Sequence, residues 1–194
     1  MNMCEFTLKI LAKETFKLNY TLSMRMKKIA VVLCCFMVLS CTKSSEAVFD
    51  IDIETFFSIP AGLNSIDTHY FIVRDVPTRI NAINPNATSD NISSVKANRG
   101  RLSGRFQNID YRFVDRIAIT AISQSDPDFR REIFWMDFIP LDQSGDLELF
   151  SSLPEVKDIL LEELIDLEIR LTFRTFTPTT IDSRIFLNFK GFVE

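Results

Sequence analysis

From Phe49 onward the chain alternates. Phe49, Ile51, Ile53 and Phe57 fall on one side of an extended backbone, and Asp50, Asp52, Glu54 and Phe56 fall on the other. A period of two is what a strand with one buried and one wet face produces. The same rhythm returns in His69, Phe71 and Val73 against Tyr70, Ile72 and Arg74, a second strand that ends at Pro77, where the ladder loses a donor. The polar stretch from Asn81 to Asn91, with Pro85 and no sustained period, reads as a long loop. A third strand is expected between Ile92 and Leu102. A fourth, Arg116 to Ser123, is apolar at Ile117, Ile119 and Ala121 and again at Ala118 and Ile122, so both faces are covered and the strand is central. Asp126-Pro127-Asp128 has turn chemistry. After it Phe134, Met136 and Phe138 alternate with Ile133, Trp135 and Asp137 as far as Pro140, and Asp142 to Asp146 makes the next turn.

The period then changes. Val156, Ile159, Leu160 and Leu164 recur at helical spacing after Pro154, with Ser151 and Ser152 as candidate caps, which predicts one short helix near 154–164. Leu167, Ile169, Leu171 and Phe173 alternate again with Glu168, Arg170, Thr172 and Arg174. Past the turn at Pro178, Ile185, Leu187 and Phe189 alternate with Phe186, Asn188 and Lys190. About seven strands with turn signals between them, and one helix, predict an all-β fold: an antiparallel two-layer β-sandwich, immunoglobulin-like or jelly-roll-like. Phe56 and Phe186 fall on nominally outer faces, which predicts a second covered surface, made by the helix or by a partner.

The first 41 residues are of another kind. Met24-Arg25-Met26-Lys27-Lys28 is basic, Ile29 to Leu39 is an unbroken apolar run of 11 residues, and Ser40 precedes Cys41. A helix crossing roughly 30 Å of hydrocarbon needs about 20 residues, so the run is an export signal and not a span. Residues 24–41 resemble the signal and lipobox of bacterial lipoproteins. Leu39 stands where a smaller residue is usual, while Ser40 is small as the pattern requires. The resemblance implies that Cys41 is the acylated first residue of the mature protein and that the membrane is a partner through that lipid. Thr42 is not the aspartate that marks inner-membrane retention in this family, so the resemblance further implies an outer-membrane location. Residues 1–23 are expected to be an upstream extension or a mis-called start, 42–47 a flexible tether, and 48–194 the β-sandwich domain.

Composition bounds what such a domain can do. All four cysteines lie in residues 1–41, so packing and not disulfides must hold the rest together. Fifteen of the 18 phenylalanines follow Cys41, which predicts a core of phenylalanine and isoleucine. With six bases and two acids in residues 1–41, the remainder carries 16 Lys+Arg against 24 Asp+Glu, a formal charge of −8. Nucleic acid, which requires a basic footprint, is not an expected partner.

Candidate chemistry is sparse. His69 is the only histidine, so any histidine-assisted acid/base mechanism must pass through it, but its place in a strand next to Tyr70 and Phe71 favours a packed or surface role. Asp50, Asp52 and Glu54 form a carboxylate row on one strand face that could bind calcium or do paired acid/base work, and it is also how a wet strand face looks. Asp142 to Glu148 lacks the order of a calcium loop. Arg99, Arg101, Arg105, Arg112 and Arg116 fall within 18 residues whose only acids are Asp110 and Asp115, a local excess of +3. Of these, Arg99, Arg101 and Arg105 are the candidate contact for an anion or an envelope protein partner. One Trp (Trp135) and two Tyr (Tyr70, Tyr111) after Cys41 do not support carbohydrate recognition. No metal or cofactor is expected. The function expected is that of a lipid-anchored exported cell-envelope protein acting as a non-catalytic binding or adaptor module. The alternative is a carboxylate-dependent envelope hydrolase, which would need Asp50 or Asp52 beside Asp137 in a cleft.

Overall fold

The computed structural model describes residues 49–80, 91–106, 109–142 and 145–193, all within one compact unit. The expected signal, Cys41 and the tether lie outside them, as does most of the expected loop after Asn81. Eight strands form: β1 (Phe49–Ile59), β2 (Thr68–Pro77), β3 (Ile92–Gly104), β4 (Val114–Ser123), β5 (Arg130–Asp137), β6 (Leu147–Ser151), β7 (Leu164–Phe173) and β8 (Ile181–Val193), with one helix, α1 (Lys157–Leu160), before β7. The fold is the antiparallel β-sandwich that the alternation predicts, with the sheet nearly closed into a barrel.

The strand order is β1-β8-β3-β6-β5-β4-β7-β2, antiparallel throughout. One layer is β1, β8 and β3, and the other is β5, β4, β7 and β2. The five-residue β6 joins them, pairing three residues with β3 and only Phe134↔Ser151 and Trp135↔Phe150 with β5. At the other side the end strands β1 and β2 meet through side chains, with the Phe57 and Phe71 rings 5.5 Å apart.

Alternation is obeyed where it was clearest. In β1, Ile51, Ile53 and Ile59 are buried while Asp50, Asp52 and Glu54 are exposed; in β7, Ile165, Leu167, Ile169, Leu171 and Phe173 are buried; in β8, Ile181 to Phe189 are buried at every second position. β4 lies between β5 and β7, as a central strand should; its inward face is buried, but its outer face is only partly covered, with Arg116 exposed and Thr120 half-buried.

The details differ in four places. In β5 a bulge opposite Ile119 and Thr120 turns both Ile133 and Phe134 inward, and the expected alternation breaks down at Phe138, which is exposed at φ 55°. The helix is a single turn. Val156, Ile159 and Leu160 are buried as the spacing predicts, but Leu164 already pairs with Pro77 as the first residue of β7. Neither serine caps it: Ser151 belongs to β6, and the Glu155 carboxylate accepts the Lys157 N–H (3.1 Å) and the Val95 N–H (2.6 Å). The helix packs on β3 and β4, so it does not cover Phe56 and Phe186. The core, finally, is isoleucine and leucine. Among the described phenylalanines only Phe134, Phe173 and Phe189 are buried, while Phe56, Phe106, Phe138, Phe150 and Phe176 are exposed. Phe49, Phe57, Phe71, Phe113 and Phe129 are partly buried and pack against the margin of this aliphatic core.

Candidate functional site

Two outer faces carry the chemistry. The first is formed by β1, β8 and β3. Register sets Glu54, Phe186 and Arg101 in one row, Asp52, Asn188 and Arg99 in the next, and Phe56 beside Arg184 in a third. The candidate arginines are thus brought to one surface, and aromatic rings accompany two of them. Arg101 lies over the Phe186 ring (5.9 Å) and within 3.8 Å of Asp146; Arg105 lies over Phe56 (4.6 Å) and Phe106 (4.8 Å). Arg99 is exposed on the same face. Phe186, Phe56 and Phe106 thus each have a guanidinium group within cation–π distance while Phe56 and Phe106 stay exposed, a contact worth about 0.5–1 kcal/mol at exposed sites. Arg112 and Arg116 are elsewhere. Arg112 chelates Asp110, lowering that carboxyl below its ordinary value through its side-chain and backbone hydrogen bonds, and its own guanidinium is pushed further up by the same bond. Arg116 sits on the opposite layer, 3.5 Å from Asp115 and over the Phe138 ring.

The carboxylate row of β1 does not converge. Asp52 accepts from the Asn188 amide at 2.8 Å, Glu54 faces Arg184 at 3.6 Å, and Asp50 is opposite Lys190 in register. Asp137 is on β5, separated from β1 by β8, β3 and β6 in the sheet order, so the cleft that the hydrolase alternative needs is not assembled. His69 is held in place by the Asn64 carbonyl oxygen (2.9 Å from Nε2) and by the Phe173 ring (5.2 Å). Among the described residues no group of three or more His, Cys, Asp or Glu is arranged to hold a metal ion, and no helix is long and apolar enough to cross a membrane.

The second face, on β2, β7, β4 and β5, holds a trough of about 550 Å³. Its floor is made by Ala118, whose methyl group leaves a low point between larger neighbours. Register places Tyr70, Arg170, Ala118 and Trp135 in one line across the four strands. Thr68 and Thr172 pair along one side with Arg116 and Asp137 beyond them, and Glu132 lies on the other side, 3.2 Å from Arg170. Sequence reasoning missed this site because its members come from four strands. The signal that could have found it is the small Ala118 on the outer face of a strand otherwise rich in isoleucine.

Fold and surfaces together define an antiparallel all-β barrel-like sandwich with two polar-aromatic outer faces. No protein-family model matches the chain, and no curated protein matches it. Among solved structures it is similar to a chain in "Structure of infectious bursal disease virus Gx strain", at 11% identity and a TM-score of 0.34, over 79% of this chain and 43% of that one. The chain therefore spans less than half the length of that viral neighbour.

Proposed function

We propose that the protein is a lipid-anchored, exported cell-envelope protein, held at the outer membrane by acylated Cys41 and acting as a non-catalytic binding or adaptor module. The observation that carries the anchoring is the basic, apolar and small-residue sequence that ends at Cys41. A diacyl or triacyl anchor is stable where one chain alone is marginal. The binding role is supported by the β1-β8-β3 face, where Arg101 and Arg105 lie over Phe186 and Phe56. Both guanidinium groups are solvent-accessible beside these rings and carry N–H donors suited to an acidic envelope partner.

The test has two arms. In cells fed labelled palmitate the protein incorporates label and Cys41→Ala does not; label in the variant refutes the anchor. Crosslinking in intact cells is expected to capture an envelope neighbour that is lost on charge reversal of Arg101 and Arg105 together. An unchanged crosslink refutes the assignment of that face.

A further inference from the structure

We infer that the trough on β2, β7, β4 and β5 is a binding site for a neutral oligosaccharide, with Tyr70 and Trp135 as its stacking platforms. Composition argues against sugar recognition because aromatic side chains with polar handles are so few. The structure changes the weight of that count. Of the three tyrosine and tryptophan residues after Cys41, Tyr111 is fully buried, and the other two are exposed on one face and line one depression, Tyr70 at 59% and Trp135 at 36% relative exposure. They stand in the same cross-strand row, three inter-strand spacings apart, or about 14 Å. That span holds a short oligosaccharide and is too long for a single small molecule to touch both ends.

The lining favours a neutral polyol over other ligands. Arg116 and Arg170 are balanced by Glu132 and Asp137, so the trough has no net formal charge to attract phosphate, nucleic acid or a polybasic segment. It is also open, with an apolar floor too small for a lipid or a hydrophobic drug-like group. Sugars present apolar C–H faces to aromatic rings and hydroxyls at their rims. Each hydroxyl both donates and accepts, so guanidinium donors, carboxylate acceptors and the Thr68 and Thr172 hydroxyls, whose oxygens are 3.5 Å apart, match it from both sides. Asp137 makes no ion pair among the described residues, because Arg116 turns to Asp115, and its carboxylate is available to a ligand. Phe150 lies 5.4 Å from the Trp135 ring and braces its outer edge.

This assignment deepens the binding role proposed above and is independent of the anchor. Trp135 is the only tryptophan in the chain, so its emission reports the trough directly. The protein as isolated from cells, in a detergent without a sugar headgroup, is titrated with cellohexaose, maltohexaose, xylohexaose and mannohexaose. At least one is expected to give a saturable change in emission, weakened at least about tenfold by Tyr70→Ala and by Asp137→Asn. Both side chains are exposed, and unchanged thermal unfolding of the variants checks that the fold survives. No saturable change with any of the four up to about 10 mM, a concentration that would reveal even very weak sites, overturns the proposal. So does binding that neither variant weakens, or a response to a casein peptide digest with none to the sugars. A flat titration leaves palmitate labelling of Cys41 untouched, and loss of the label leaves the titration valid.

Discussion

Gly100 lies in β3 directly beneath the Phe134 ring. A Cβ added there would stand 2.6 Å from Cδ1 and 2.8 Å from Cγ, closer than any side chain tolerates. Phe134 cannot give way cheaply, since it is fully buried and meets Phe189 edge-on at 5.7 Å. Gly100→Ala is therefore expected to cost about 2 kcal/mol as overpacking, seen as a melting temperature lower by about 6 °C, whereas Arg99→Ala on the exposed position beside it is expected to change little. Residues of this kind are the hardest to read from sequence. Burial of Ile51, Ile53, Ile169 and Leu171 follows from period alone, because each choice of face is forced by its neighbours two positions away. The need for glycine at 100 comes from a ring on β5, more than 30 residues along the chain and two strands away in the sheet order, and no local pattern contains it. The same holds for the trough, where Tyr70 and Trp135 look like isolated surface aromatics until four strands are placed side by side.

At the scale of elements, the segment between α1 and β7 is tied to the β4–β5 turn by one carboxylate. Glu162 accepts hydrogen bonds from the Ser123 hydroxyl, the Ser125 hydroxyl (2.6 Å) and the Gln124 N–H (2.8 Å). Partial burial by itself would raise its pKa, but these hydrogen bonds outweigh burial and hold the carboxyl below its ordinary value. A lowered folded-state pKa favours the charged form, so the stabilisation is present above about pH 4.3 and is lost as pH falls through the lowered value. Glu162→Gln is expected to lower stability by about 1 kcal/mol at pH 7, and urea titrations of the two proteins should converge toward pH 3. A gap that stays constant with pH would show that shape and not charge matters there. Elements were legible in proportion to their length. The ten-residue β7 announces itself, whereas β6 offers only Leu147 and Leu149 against Glu148 and Phe150, too short an alternation to separate from a turn. The helix was readable by spacing but overextended, since Leu164 satisfies both a helical and a strand period and is claimed by its ladder with β2.

On the scale of the whole molecule, the two layers share little hydrogen-bonded backbone, because β6 is the bridge on one side and β1 and β2 meet only through side chains on the other. Periodicity predicts two layers but is silent on how they are joined. The joint lies in particular buried contacts. Tyr111, fully buried just before β4, donates its hydroxyl to Ser183 on β8 (3.1 Å) and stacks on Phe113, which stacks on Phe173 of β7, so one file of side chains runs from layer to layer. Burial pushes the Tyr111 phenol up to about 12, an effect that the Ser183 hydrogen bond only partly opposes. An unfolded tyrosine ionises near pH 10, so between about pH 10 and 12 the unfolded chain has released a proton that the folded one retains, and stability must fall as pH rises. The fall is expected to reach up to about 1.4 kcal/mol per pH unit. Tyr111→Phe should remove that slope while costing about 1 kcal/mol at pH 7, because it leaves the Ser183 hydroxyl without its donor. Denaturant titrations at pH 7 and above pH 10 separate the two effects. If the variant keeps the alkaline slope, Tyr111 is not the group whose ionisation parts the layers.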